Sequence, residues 1–533
     1  MNSIPSVISV RRIAIYWVLL TAIGLLLSAC ATSMQSQKPA GFSFVETTID
    51  DIHTAIKDQT VDCEEITHGF LNRIQKYDEI SNLNSIIYVN PNAIDEAKAL
   101  DKKFRATKTM HSLHCVPVIL KDNFDTADMP TEAGSIALTG SIPPDDAYMV
   151  KKLRQADAII IAKSNMGEWA FSPYNTISST HGETRNAYDL SRVPAGSSGG
   201  TASAIAANFG VIGMGSDTGN SIRGPASHLA LVGIRSTIGV TSRDGIVPLL
   251  LNRDVGGPLM RTVRDSAKVF NVIAGYDPAD ATTKSYENHK VDDYTAHLNR
   301  TGLIGVRLGV LRQIYDASTA NNQILAVFTQ ALEDLESSGA VIIDPITIPD
   351  FEKLVKTTGF CSRFRYDINN YLKTLGNDIA IKTLQDVVEQ KRYRPENDGA
   401  MKWAMSIDAD VKPAEQNPPC IDVEGDPRRK ALLTAVVTTM DSLKLDALIY
   451  PSWSNPPRKI GDSESPDGNN SPVIAPHSGQ PAITVPMGYV DNNLPLGLQI
   501  LGRPFSEEKL FQYAYAYEQA THHRRPPLLF PEL

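Results

Sequence analysis

The chain has 533 residues, of which 42% are hydrophobic and 21% are charged, so it can bury the core of one large domain or two. Its formal net charge is −9, and no run of basic residues resembles a nucleic-acid binding surface. Nucleic acid is therefore excluded as a partner, and we expect a small molecule or a peptide instead.

The first thirty residues are predicted to be an export signal. Arg11 and Arg12 precede an apolar run over 13–27, and the sequence LSAC follows, ending at Cys30. LSAC resembles the lipobox of bacterial lipoproteins, which implies cleavage before Cys30 and a lipid on its thiol. The alternative is a membrane-spanning anchor, but the apolar run is short for a bilayer.

These features predict three parts of the chain: residues 1–29 as a lipoprotein signal peptide, 30–41 as the lipidated Cys30 with a flexible polar tether, and 42–533 as a single domain. The mature protein would contact the membrane through the lipid anchor only. We expect it to be exported and to face the periplasm or the cell exterior.

Apolar runs and amphipathic segments alternate after the tether. The predicted elements are, in chain order, helix 63–77, strand 116–120, helix 147–156, strands 158–162 and 210–214, helix 322–339, strands 447–451 and 482–486, and helix 506–520. Ser506 is expected to cap the last helix, which has acidic residues in its first turn. This alternation predicts an α/β fold in which helices cover both faces of a sheet.

Four cysteines remain besides Cys30, an even number in a compartment where disulfides persist. We expect either the pairs Cys63–Cys115 and Cys361–Cys420 or four buried free thiols. The Pro- and Asp-rich stretch 412–428 is predicted to be an excursion of the chain rather than a domain boundary.

Residues 194–227 concentrate eight glycines and six serines. Glycines indicate backbone that turns tightly or approaches another group closely, and the apolar periodicity of 201–214 predicts burial rather than a flexible linker. The stretch satisfies G-x-S-x-G with Ser198 at its centre, but no apolar strand precedes it, which argues against a nucleophile elbow. Lys121, at the end of a predicted buried strand, is a candidate base, whereas Lys163 lacks that polar-turn context.

Three segments carry a family resemblance: VPVILKDNFDT, PAGSSGGTASAIAA and GSDTGNSIRGPASH. With AKSNMGEWAFS, PAITVPMGY and LPLGLQILGRPFSE, they resemble the amidase signature family, which includes fatty acid amide hydrolase, peptide amidases and glutamyl-tRNA amidotransferase catalytic subunits. The resemblance spans 50–521. It implies the amidase-signature fold, with a large, mixed, twisted central sheet, and a reaction that needs no cofactor.

The resemblance implies a Ser–Ser–Lys triad with Ser221 as nucleophile, Ser197 as the bridging serine and Lys121 as the base. The family holds its bridging serine through a cis peptide bond, here Gly196–Ser197. Because an ammonium cannot accept a proton, Lys121 must be neutral, and burial lowers a lysine pKa in the required direction.

The same resemblance assigns the oxyanion hole to backbone N–H groups of Thr218, Gly219 and Asn220, together with Ser221. Many members have two glycines where this chain has Gly219 and Asn220, and asparagine tolerates a positive φ there. Ala195 stands where a glycine is often found.

Several neighbouring residues are predicted to have supporting roles. Asp217 and Arg223 are expected to hydrogen-bond the loop backbone or each other, and Ser198 to support the proton relay. His111 and His114 have H-x-x-H spacing without further ligands nearby, so no metal site is expected.

The sequence therefore predicts a serine hydrolase that cleaves the C–N bond of a small-molecule or peptide amide through an acyl-enzyme on Ser221. Two alternatives are an esterase or aryl acylamidase with the same triad, and a non-catalytic, lipid-anchored binding protein of the same fold. In the family the substrate pockets come largely from the region after the nucleophile, here 350–430, whose aromatic residues are expected mainly to pack helices.

Overall fold

The structure is a computed structural model that describes Met1 and residues 41–376, 379–491 and 493–533. Cys30, the apolar run 13–27 and most of the predicted tether lie outside these residues, so the signal peptide and lipid anchor remain predictions. Contacts group Phe44–Leu533 into one compact unit. Among the described residues, no helix combines the length and the apolar character needed to span a bilayer.

The described residues contain thirteen strands: β1 (Ile86–Val89), β2 (Pro117–Lys121), β3 (Ile159–Ser164), β4 (Ile177–Ser178), β5 (Gly182–Glu183), β6 (Ile212–Asp217), β7 (Val232–Arg235), β8 (Val255–Met260), β9 (Arg307–Val310), β10 (Val341–Ile343), β11 (Ala447–Pro451), β12 (Ala482–Val490) and β13 (Leu494–Leu501). Eleven of them form one sheet in the order β1-β3-β2-β6-β8-β7-β12-β13-β11-β9-β10, and β4 and β5 form a separate pair. Parallel and antiparallel pairs both occur, so the sheet is mixed.

Helices flank this sheet. In chain order the α-helices of the described residues are Ile49–Lys57, Cys63–Ser81, Ala93–Thr107, Tyr148–Gln155, Gly199–Ala206, Arg223–His228, Val263–Ile273, Asn322–Ser337, Phe351–Thr357, Phe364–Thr374, Leu384–Glu389, Asp398–Met405, Pro427–Ser442, Ala475–Ser478 and Glu507–Thr521. Short 3₁₀ turns lie between them, at Ile136–Leu138, Glu168–Ala170, Ala281–Asn288, Arg312–Ile314, Pro395–Asn397 and Pro413–Glu415.

Burial of the central strands explains why the sheet needs helices on both sides. Every residue of β2, β3, β6, β8 and β13 is buried, although successive side chains of a strand point to opposite faces. Both faces are therefore covered, as in sheets whose strands are continuous apolar runs. The predicted α/β fold with a large mixed central sheet is confirmed.

The predicted elements agree closely with the structure, and one detail is wrong. Strand 447–451 matches β11, and helix 63–77 extends to Ser81. Ser506 does occupy the position before helix Glu507–Thr521, but its side chain forms no capping bond to that helix. Its hydroxyl instead donates to the carbonyl oxygen of Arg503 at 2.7 Å.

Strands β2 and β6 lie side by side and run parallel, with Leu120 opposite Met214. Lys121 is the last residue of β2, and Asp217 is the last residue of β6. Because parallel strands end at the same edge of a sheet, the two central motifs of the sequence meet there.

The glycine-rich segment 194–227 is buried at every position except Gly219, which is partly exposed. A side chain at Gly200 would overlap the backbone carbonyl of Asn165, and one at Gly196 would overlap that of Asn175. These two glycines therefore allow close backbone approaches, and the segment is part of the core rather than a linker.

The structure contains both expected disulfides, so the first of the two cysteine alternatives is confirmed. The Cα atoms are 5.3 Å apart in Cys63–Cys115 and 5.7 Å apart in Cys361–Cys420. The first joins the start of helix Cys63–Ser81 to the chain just before β2, and the second spans part of the region 350–430.

The two ends of the compact unit lie together. The backbone N–H groups of Phe44 and Val45 donate to the Glu532 carboxylate at 3.1 and 3.2 Å. The buried Arg73 guanidinium donates to the carbonyl oxygens of Phe530 and Pro531, each at 2.9 Å. The last residues of the chain are therefore fixed to the same side of the unit as its first residues.

Replacing Gly200 with alanine should destabilise the protein by about 1–3 kcal/mol, because the new methyl group must displace the Asn165 carbonyl. Gly399, in helix Asp398–Met405, is a matched control because a side chain there meets nothing within 4 Å. Gly399→Ala should change stability by at most about 1 kcal/mol, in the stabilising direction. Urea unfolding measures both variants, and equal stabilities would contradict this account.

Candidate active site

Lys121 lies fully buried at the end of β2, in contact with two serines. Its Nζ atom is 2.8 Å from Ser197 Oγ, 2.9 Å from Ser216 Oγ and 3.5 Å from the Ser216 carbonyl oxygen. Burial lowers the pKa of Lys121 to about 7, although the charges of Asp217 and Asp254 act in the opposite direction. The amine is therefore largely uncharged just above neutral pH and can accept a proton from Ser197.

Ser197 is held where the backbone passes close to its neighbours. The Gly196–Ser197 peptide bond is cis, as the family resemblance implies. The Gly196 N–H donates to the Pro173 carbonyl oxygen, and the Gly167 N–H donates to that of Ser197, both at 3.0 Å. These bonds fix the Ser197 hydroxyl beside Lys121.

Ser216 and Asn123 are part of this cluster, and sequence reasoning missed both. The Asn123 side-chain amide donates to Ser216 Oγ at 2.9 Å, which fixes the second hydroxyl that touches Lys121. The sequence did contain a pattern that points to Ser216, because Ser216 precedes Asp217 in the GSDTGNS motif and β6 pairs with β2. Aligning the ends of the two predicted strands would have found it.

The loop after β6 is held by buried charges. The Asp217 carboxylate accepts bonds from the backbone N–H groups of Ile222 at 3.2 Å and Arg223 at 3.4 Å. It also pairs with the guanidinium groups of Arg223 at 3.1 Å and Arg235 at 3.0 Å. Burial works to raise the pKa of Asp217, but the two arginines outweigh it and hold the pKa below its usual value.

Arg223 also braces the loop from the other side, since it donates to the Gly219 carbonyl oxygen at 2.6 Å and to that of Ser471 at 2.7 Å. Asp217 and Arg223 are both fully buried, so these contacts shape the loop rather than meet a substrate.

Ser221 lies in this loop, on the wall of an open cavity of about 360 Å³. The backbone N–H groups of Thr218, Gly219, Asn220 and Ser221 donate to no acceptor within the part of the chain that the structure describes. Consecutive unpaired amides beside a serine hydroxyl can stabilise negative charge that develops on a carbonyl oxygen. No hydrogen bond joins the Ser221 hydroxyl to Ser197 among the described residues. Of the three residues of the expected triad, Lys121 and Ser197 are therefore the two that are in contact.

The turn at Asn220 does not use the tolerance of asparagine for a positive φ. Among the described residues, the positive-φ positions include Ala195, at 64°, but not Asn220. The Asn220 side-chain amide instead donates to the carbonyl oxygens of Pro173 at 3.3 Å and Gly196 at 3.4 Å. Asparagine at this position thus links the loop that carries Ser221 to the segment that carries Ser197.

Apolar side chains form most of the cavity. Its lining consists of Ala170, Phe171, Pro173, Tyr174, Thr218, Gly219, Asn220, Ser221, Leu249, Leu250, Phe360, Ala400, Trp403, Asp467, Asn469 and Pro472. The family resemblance implies that the substrate pockets come largely from 350–430, and Phe360 and Trp403 of this region do line the cavity. Phe364 and Tyr371, by contrast, pack in a buried cluster, as expected for a helix.

The other candidates lie in different surroundings. Ser198 Oγ donates to the Ser216 carbonyl oxygen at 3.2 Å, a contact that supports the cluster. Lys163 Nζ donates to Phe124 O at 2.6 Å and to Thr131 Oγ1 at 2.9 Å, and touches neither serine of the expected relay.

His111 and His114 both face the Asp157 carboxylate, at 3.5 and 3.2 Å. Among the described residues, Cys63, His114 and Cys115 are close enough together to hold a metal ion. The two sulfur atoms are joined in a disulfide, however, and a thiolate is the form that binds metals.

Comparison with known proteins gives a consistent result. The Amidase family profile matches residues 65–511. A probable amidase of Arabidopsis thaliana is 31% identical over 520 residues, which cover 94% of this chain and 95% of that protein. A glutamyl-tRNA(Gln) amidotransferase subunit of Microcystis aeruginosa is 32% identical over 503 residues, which cover 90% of this chain and 99% of that protein.

The X-ray structure of native peptide amidase from Stenotrophomonas maltophilia has a TM-score of 0.82 and 33% sequence identity with this chain. The match covers 92% of this chain and 100% of the peptide amidase. Since the profile and the relatives all extend over most of the sequence, this chain belongs to the amidase family.

Proposed function

We propose that this protein hydrolyses carboxylic amides through an acyl-enzyme on Ser221. The observation that carries the proposal is the buried Lys121 amine, 2.8 Å from the Ser197 hydroxyl. It lies near a loop whose residues line a cavity with Ser221 and whose N–H groups have no acceptor among the described residues. A binding protein would have no use for a buried lysine whose pKa is lowered to about 7.

In the first half of the reaction, Ser221 Oγ attacks the amide carbon. Its proton passes to Ser197 while the Ser197 proton passes to Lys121, so that Lys121 becomes an ammonium. The N–H groups of the loop hold the oxyanion of the tetrahedral intermediate. Lys121 then returns its proton through Ser197 to the leaving nitrogen as the C–N bond breaks.

In the second half, water attacks the acyl-enzyme and gives its proton to the same relay, which releases the carboxylic acid and restores Ser221. Because Ser221 and Ser197 are not hydrogen-bonded in the structure, this mechanism requires them to come together when substrate binds. Such tightening is common in hydrolases between the free enzyme and the substrate complex.

The proposed substrate is a small-molecule or peptide amide. Two of the relatives are described as a probable amidase and a peptide amidase, and the apolar cavity suits an uncharged group next to the scissile bond. We do not propose that the protein is a subunit of a glutamyl-tRNA amidotransferase, because the predicted export signal would separate it from tRNA. An esterase using the same triad would differ in its preference between an amide and the matched ester.

Ser221→Ala should abolish amide hydrolysis, and Lys121→Ala should reduce kcat/KM by about 10⁴-fold, the scale for losing one member of a catalytic triad. Labelling with a fluorophosphonate probe should modify the wild-type protein at Ser221 and should fail with Ser221→Ala. Circular dichroism controls for folding. Unchanged turnover in either variant would refute the triad, and absence of labelling in the wild type would favour the binding protein.

The pH dependence follows from Lys121. Only the neutral amine accepts a proton, and its pKa is about 7, so kcat/KM should fall about tenfold per pH unit below pH 7 and level off above it. A profile of kcat/KM between about pH 5 and 9 for a non-ionising amide tests this sign, in the range where such a base titrates. A flat profile would show that Lys121 is not the base.

We also propose that the protein is a membrane-anchored lipoprotein, on the sequence of residues 11–30. In a bacterial host, the full chain should take up a fatty-acid analogue and fractionate with membranes, and Cys30→Ser should lose both properties. Ala31→Ser is the matched control and should retain them. A Cys30→Ser protein that stays in the membrane would indicate a spanning anchor over 13–27 instead.

A further inference from the structure

Two cavities adjoin at Phe360 and Trp403. One is the active-site cavity of about 360 Å³, and the other, of about 680 Å³, we call the polar cleft. Phe360 and Trp403 line both, and they are 43% and 37% exposed. The polar cleft is lined by, among others, Lys356, Ser406, Asp408, Glu415, Gln416 and Arg428.

Residues 359–362, here called the Phe360 strap, form part of the wall between these cavities and have no regular secondary structure. Arg253 fixes one end of the strap, because its guanidinium donates to the carbonyl oxygens of Thr358 at 3.1 Å and Gly359 at 3.0 Å. The same guanidinium lies 4.9 Å from the centre of the Phe360 ring, a distance that permits a cation–π contact.

The other end of the strap is fixed by covalent and polar contacts. Cys361 forms a disulfide with Cys420, and the Ser362 hydroxyl donates to the Trp403 carbonyl oxygen at 3.0 Å. The Gln416 side-chain amide donates to the Ser362 carbonyl oxygen at 3.0 Å. The strap is thus held in place from both sides without using its own N–H groups.

The main chain of the strap is unpaired in its middle. Within the described ranges of the chain, the N–H groups of Gly359, Phe360, Cys361 and Ser362 donate to no protein acceptor, and the carbonyl oxygens of Phe360 and Cys361 accept from no protein donor. A fixed segment with free donors and acceptors can pair with the main chain of an extended peptide, as exposed sheet edges do.

The strap also approaches the reacting loop. A side chain built on Gly219 would lie 3.4 Å from the Phe360 ring, so the aromatic ring covers the loop that carries Ser221. None of the residues that line the active-site cavity is lysine, arginine or histidine. A free carboxylate next to the scissile bond would therefore find no cationic partner among them, whereas an uncharged carboxamide needs none.

We propose that the Phe360 strap binds the main chain of a peptide whose C-terminal carboxamide reacts at Ser221. The last side chain of the peptide occupies the active-site cavity, and the preceding residues cross between Phe360 and Trp403 into the polar cleft. This proposal rests on the proposed function, because it names the substrate class of the same site.

Binding by the Ser221→Ala protein separates this proposal from catalysis. Isothermal titration should give a Kd about tenfold lower for acetyl-Ala-Ala-Phe-amide than for acetyl-Phe-amide, since the longer peptide adds main-chain bonds to the strap. Replacing the middle alanine with lactic acid, which removes one N–H and keeps the length, should cancel part of that gain. Equal Kd values for the two peptide amides, or no binding of either, would overturn the proposal.

A pair of disulfide variants locates the effect on the strap. In wild-type protein kcat/KM should rise with peptide length, and the double variant Cys361→Ser with Cys420→Ser should lose this rise through a higher KM for the longer peptide. Cys63→Ser with Cys115→Ser is the matched control and should keep it. If kcat/KM of the variant without the Cys361–Cys420 disulfide still rises with peptide length, the role of the strap is overturned. Absence of any wild-type turnover would instead contradict the proposed function, and the titration result would still stand.

Discussion

The site depends on one lysine amine that the fold removes from water without giving it a carboxylate partner. Lys121 Nζ contacts the hydroxyls of Ser197 and Ser216, which are neutral groups and do little to hold a positive charge. Asp217, at the end of the neighbouring parallel strand, forms ion pairs with Arg223 and Arg235 instead. If Asp217 faced the amine instead, the lysine would stay protonated and could not serve as a base.

The backbone N–H groups of the loop after β6 fall into two sets, those that the Asp217 carboxylate binds and those without an acceptor. Asp217 accepts the N–H groups of Ile222 and Arg223, while the four N–H groups from Thr218 to Ser221 have no acceptor among the described residues. Buried charged groups are costly unless they are paired, and here each of them bonds loop backbone as well as its partner. The same ion pairs that engage the Asp217 carboxylate therefore also fix the loop whose residues line the cavity.

The fold could be predicted from the sequence wherever a signal was local and periodic. Strand 447–451 and helix 63–77 follow from apolar spacing, and the close backbone approach at Gly200 follows from the run of glycines. Details decided by tertiary contacts could not be predicted in this way. Ser506 has the residue type of a cap, yet its hydroxyl donates to the Arg503 carbonyl oxygen and its oxygen accepts no bond from the first N–H groups of the helix.

In the candidate site, too, local motifs could be predicted from the sequence and details set by tertiary contacts could not. Residues inside contiguous motifs, such as Lys121 and Ser197, could be found from the sequence and the resemblance, and the structure places these two in contact. Ser216 required knowledge of which strands pair, and the Asn220 side chain bonds a segment that is distant in the sequence. The cavity wall at Phe360 comes from a segment that Arg253 and the Cys361–Cys420 disulfide hold in place. The disulfide was one of the two expectations for the cysteines, whereas the contact with Arg253 leaves no pattern in the local sequence.

The meeting of the two ends of the compact unit has a practical consequence for handling the protein. Because Phe44 and Val45 bond the side chain of Glu532, a short linker between the first and last residues of the unit would close the chain into a ring with little change in backbone path. New termini could then be opened in a surface turn away from the cavity. The same proximity means that an affinity tag added after Leu533 would start close to Phe44, the first residue of the unit, and not on an opposite face.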